Sequence, residues 1–110
     1  MEEELLDNIK EFLESGRENL EKRRYNAAVS DFFKAIVIVC DYLIYQEIKI
    51  LPKNHNDRFN LLKKYFEDIY SEISSLFKIY TKSYNLRMGK KDVIKLQRYA
   101  NELRNKINKK

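Results

Sequence analysis

Apolar residues recur at steps of three and four along nearly the whole chain, and the stretches that carry this spacing predict five helices. The first covers about 2–23, with Leu5, Ile9, Phe12, Leu13 and Leu20 on one side. Gly16 lies on the same helix, where a neighbour can come close. Glu2, Glu3 and Glu4 in its first turn suit the positive end of the helix dipole. The second, about 26–49, repeats Ala28, Phe32, Ala35, Ile36, Val39 and Leu43 and is apolar nearly all round, which marks a central helix. Pro52 then breaks the pattern, because proline cannot donate to the preceding turn and pushes Leu51 toward an extended conformation.

Beyond that break, Asn54 or Asn56 can cap a third helix over about 55–66, with Phe59, Leu62 and Phe66 inward. Asp68 can cap a fourth, about 69–87, carrying Ile69, Ile73, Leu76, Phe77, Tyr80 and Tyr84, with Gly89 as its C-terminal stop. A fifth begins near Lys91 or Asp92, and Val93, Leu96, Ala100, Leu103 and Ile107 keep the spacing to near the end. The expected fold is all-α: an up-and-down bundle of four to five helices, one domain over 1–110. Only two glycines and one proline occur, so an antiparallel β protein would lack residues for its turns.

Composition narrows the function classes. Cys40 is the one cysteine and sits in the apolar run 35–40, where it reads as a small core hydrophobe. One histidine and one cysteine cannot make a zinc site, and two isolated glycines make no phosphate loop, so neither metal nor cofactor is expected. The acidic start is unlike a secretory signal and no apolar run approaches a membrane span, so a soluble, cytoplasmic protein is expected. The formal charge of +5 is uneven. Acidic residues prevail up to Arg23 and basic ones from Arg87 onward, a polarity that can steer an anionic partner toward the last helix. Lysine-rich helices are more often solvated faces than stacking platforms, and the tail is read that way here.

Candidate chemistry lies in two polar clusters, 55–58 and 84–87, bracketing the predicted helical hairpin. If consecutive helices are antiparallel, the end of the second, the start of the third, the end of the fourth and the start of the fifth meet at one pole. His55, Arg58, Tyr84 and Arg87 would then converge, an imidazole, two guanidiniums and a phenol suited to a phosphate or carboxylate. Gln46, Lys49, Asp57, Lys90 and Asp92 would join them. Competing roles are also open: the arginines as braces paired with Asp57, Asp68 or Asp92, and Tyr84 as core. On the second helix, Val37 and Ile38 interrupt a polar stripe of Ser30, Asp31, Lys34 and Asp41, an arrangement that suits a contact for a second copy or a partner, or cover by the first helix.

The stretch Tyr25-x-x-Ala28-x-x-x-Phe32-x-x-Ala35-Ile36, a proline-containing break with a histidine, and a helix ending in Tyr84-x-x-Arg87 together resemble the HEPN domains of archaea and bacteria, over roughly 5–105. The resemblance implies a helical bundle that forms a homodimer. It also implies either metal-independent ribonuclease activity in a toxin–antitoxin or defence system, or partnership with a nucleotidyltransferase-type protein. Ribonuclease members carry an arginine, then four to six intervening residues, then a histidine. After Arg87 the corresponding places hold Asp92, Val93 and Ile94; ahead of His55 they hold Ile48, Lys49 and Ile50. The expectation is therefore a dimerising, non-catalytic binding module for phosphate, nucleotide or RNA. The alternative is a divergent ribonuclease using His55 with Arg58 or Arg87.

Overall fold

The computed structural model describes residues 1–108, and among them every element is an α-helix: α1 Glu2–Glu21, α2 Tyr25–Ile48, α3 His55–Tyr65, α4 Glu67–Lys82 and α5 Lys90–Asn108. The all-α expectation holds, and none of these helices is long and apolar enough to cross a membrane. Lys109 and Lys110, which belong to the basic tail, lie outside the described residues.

α2 is the central helix, as its all-round apolar pattern requires. Ala28, Phe32, Phe33, Ala35, Ile36, Val39, Cys40 and Ile44 are all buried, and the other helices pack around it. α1 lies antiparallel along one side, joined by a three-residue turn in which Arg23 takes a left-handed φ of 60°. Gly16 is the point of closest approach: a Cβ there would stand 2.8 Å from the Phe32 ring. Two polar contacts fix the register, since Ser15 Oγ and Asn19 Nδ2 donate to Asp31 Oδ2 at 2.7 and 2.8 Å. α5 packs mainly on α2 through Val93, Leu96, Ala100 and Leu103, all buried at three- and four-residue spacing.

The remaining helices depart from the simple alternation. α2 ends at Lys49, whose left-handed φ of 61° closes the helix with its amide bonded to the Tyr45 carbonyl. The connection then doubles back, so that Asn54 and His55 come to lie beside Phe33–Ile38 in the middle of α2, not at its end. Asn54 caps α3, its side chain accepting from the Asp57 amide, while Asp57 accepts from the Lys53 amide. α4 is antiparallel to α3, with Phe59 meeting both Tyr70 and Phe77. It is also antiparallel to α2, with Tyr80 stacked on Phe33 at 4.5 Å and the segment beyond α4 fastened to Asn26.

Two boundary expectations are corrected by this arrangement. The fourth helix stops at Lys82, not Arg87, because Ser83 Oγ turns back onto the Tyr80 carbonyl and Asn26 captures the carbonyls of Ser83 and Leu86. No side chain caps α4, so Asp68 does not take that role, and the Gly89 amide instead donates to Asp92 Oδ2 at the start of α5.

Candidate functional site: a groove against the central helix

The common pole does not form as expected. α4 is longer than α3 and overshoots it, and the end of α4 and start of α5 arrive at the beginning of α2. Asn26 makes this junction: its Nδ2 donates to the carbonyls of Ser83 and Leu86, 2.7 Å each, and its Oδ1 accepts from the Met88 amide at 2.9 Å. The loop carrying Arg87 is thereby pinned at Asn26. Arg58 is pinned at Asp41, about 22 Å farther along the same helix at 1.5 Å per residue. The four predicted residues thus fall into a pair, His55 with Arg58, and two outliers. Tyr84 is 74 % exposed, its hydroxyl 2.8 Å from that of Tyr80 and its ring edge-on to the Tyr80 ring. Arg87 is exposed on its loop, with no ion pair among the described residues.

Arg58 pairs with none of the three carboxylates expected for it, Asp57, Asp68 or Asp92. It reaches across to α2, donating Nε to Asp41 Oδ1 at 2.6 Å and Nη2 to Asp41 Oδ2 at 3.0 Å, the fork geometry of a bidentate pair. Both side chains are largely buried, 11 % and 15 % exposed. The third edge of the guanidinium donates Nη1 to His55 Nδ1 at 3.0 Å. Arginine has no acceptor, so Nδ1 must be the bare nitrogen and the neutral ring carries its proton on Nε2. Burial lowers the His55 pKa, and the Arg58 charge lowers it further, against a smaller opposing pull from Asp41. Its ring rests 5.5 Å from that of Phe77 and 6.4 Å from that of Phe59.

These groups form one end of a groove of about 380 Å³ bounded by α1, α2, α3 and α4. Phe12, Phe33, Val37 and Ile38 supply its apolar surface, with Tyr80, Lys34, Asn54, His55 and Arg58 around them. Val37 and Ile38 are half-buried, and Lys34 Nζ stands over the Phe12 ring at 5.6 Å. The two predictions made separately for Val37/Ile38 and for His55/Arg58 therefore concern one concavity. Tyr80, not Tyr84, is the phenol at its wall. Its pKa is pushed up to about 12, first by the hydrogen bond to Tyr84 and then by burial, so it remains a neutral phenol. Cys40 is fully buried and its thiol is pushed well above its ordinary range by desolvation, which leaves it inert.

A second concavity, about 600 Å³, opens between α4 and α5 and is lined by Glu72, Lys90, Lys91, Ile94, Lys95, Arg98, Tyr99 and Glu102. Reading the tail as a purely solvated face passed over Tyr99, the aromatic residue within it. Asp41 and Asn26 were also missed as structural partners. Both carried a weak signal, a carboxylate and an amide on a predominantly apolar helix. Compared with known proteins, the chain matches no family model, no curated protein and no solved structure.

Proposed function

We propose that this chain is a HEPN-like binding module that pairs with a second copy across the Val37/Ile38 groove and holds a phosphate-bearing ligand, a nucleotide or RNA, between the two grooves. The supporting observation is that the apolar pair and the His55–Arg58 cluster line the same concavity. A single groove is a weak anion site, because the Arg58 charge is already met by Asp41 and Lys34 is the remaining full cation. A two-fold pairing sets two Lys34 side chains and two His55 rings around one space while covering the exposed parts of Val37 and Ile38. Arg58 keeps two N–H groups beyond its three bonds, fixed in direction by Asp41.

The reading as a divergent ribonuclease draws on the same His55–Arg58 contact. It is the weaker of the two, because RNA cleavage without a metal needs a base to take the ribose 2′-hydroxyl proton. In His55 the unprotonated nitrogen is the one occupied by Arg58. Sedimentation and nucleotide titration test the proposal. A dimer at micromolar concentration that becomes monomeric in Ile38→Glu, and nucleotide binding that weakens in both Ile38→Glu and His55→Ala, are expected. A wild-type monomer, or binding unchanged by His55→Ala, overturns it, and RNA cleavage abolished by His55→Ala moves the assignment to the ribonuclease.

A further inference from the structure

The α4–α5 groove lies on a different face and carries a different chemistry. α5 is held rigidly by its buried Val93, Leu96, Ala100 and Leu103, which turns the opposite ridge of Lys91, Lys95 and Arg98 into a fixed row along the groove. At 1.5 Å of rise per residue the row is about 10 Å long, enough for about three phosphates at the 3.4 Å spacing of a stacked strand. Lys90 extends it at the helix start. Among the described residues the ion pairs are Met1 with Glu4 and Arg58 with Asp41, so these four cations have no carboxylate partner. Ile94 and Tyr99, both half-buried, give the groove apolar and aromatic wall between the cations. Tyr99 keeps its proton, since burial raises its pKa and the Glu72, Glu102 and Asp68 charges add to that. Glu72 and Glu102 also line the groove, where they repel phosphate and offer acceptors to base amino groups.

We infer that the α4–α5 groove is a binding track for single-stranded nucleic acid, with phosphates on the Lys91–Lys95–Arg98 row and a base against Tyr99. An unpaired strand is required, because an aromatic wall in a groove between two helices reaches only a base that is free to stack. This track goes beyond the paired-groove reading and does not depend on it.

The test is an anisotropy titration of short labelled single strands, RNA and DNA, across a salt series. Wild-type affinity should fall as salt rises. Lys91→Glu/Lys95→Glu/Arg98→Glu should bind at least about tenfold more weakly, with a salt slope shallower by about 2, at about 0.7 per lost phosphate contact on a single strand. Tyr99→Leu should lose about tenfold and Tyr99→Phe should bind as the wild type, because the stacking ring is kept. The triple variant should retain helical content and sedimentation behaviour, which separates loss of this track from failure of pairing. Unchanged affinity in the folded triple variant overturns the inference. So does a Tyr99→Phe loss equal to that of Tyr99→Leu, or polyglutamate of matched charge competing as well as the strand.

Discussion

The contacts of α2 and the groove between α4 and α5 treat polar groups in opposite ways. On α2, Asp31 is bonded by Ser15 and Asn19, Asp41 by both arms of Arg58, and Asn26 uses its amide three times to hold the α4–α5 connection. At the other site Lys90, Lys91, Lys95 and Arg98 face a concavity without an ion pair among the described residues. Arg58 and Arg98 are the same residue type on the same small domain, yet one is a brace and the other is free to meet a ligand. Availability is what separates them: a guanidinium desolvated beside a carboxylate has little attraction left for an incoming anion.

The largest expected effect breaks the closed side. Asp41→Ala leaves the Arg58 charge largely buried without its partner and should cost about 3 kcal/mol, the lower end for such a pair because both groups keep some solvent contact. Denaturant unfolding measures it. Asp41→Leu/Arg58→Met should recover most of that loss, and a double variant as unstable as Asp41→Ala would mean that the brace is not an isolated charge pair. Gly16→Ala comes next. The new methyl would press on the fully buried Phe32 ring, an overpacking cost of about 1–3 kcal/mol, against the roughly 1 kcal/mol that alanine gains over glycine in a helix. A lowered midpoint is therefore expected, whereas a raised one would show that α1 can slide away from Phe32.

On the open side, Arg98→Ala should change stability by no more than about 0.5 kcal/mol. A cost approaching that of Asp41→Ala would erase the contrast between the two arginines. The smallest effect is a pH dependence. Folding disfavours protonation of His55, so the unfolded chain binds the extra proton below the ordinary imidazole value of about 6.5, and this contribution to stability is lost as pH falls through that window. Between about pH 7 and pH 5 the wild type should lose thermal stability faster than His55→Gln, while above that range the two curves should run parallel.

Much of the bundle was legible in local pattern. Val93, Leu96, Ala100 and Leu103 repeat at helical spacing and are buried in that order, and Gly16 marked a close approach that Phe32 makes. A cap at Asn54 or Asn56 was recognisable because an amide ahead of an apolar-periodic run satisfies a free N–H, and the structure selects Asn54. The site was less legible. His55 and Arg58 are one helical turn apart, so their contact follows from spacing, but Arg58's partner is seventeen positions away on another helix. Tyr84 fitted the apolar spacing of α4 yet lies beyond its end, since tertiary hydrogen bonds from Asn26 stop the helix two residues earlier.

The sequence by itself determined the helices and their inward faces, because apolar spacing and scarce glycine and proline act within a few residues of each other. Only the tertiary structure decided which polar groups meet. A doubled-back connection placed His55 beside the middle of α2, α4 overshot α3, and Asn26 caught the loop of Arg87 far from Arg58. Whether an arginine ends as a brace or as a free cation depends on which carboxylate another helix delivers, and that is fixed by packing across the whole core.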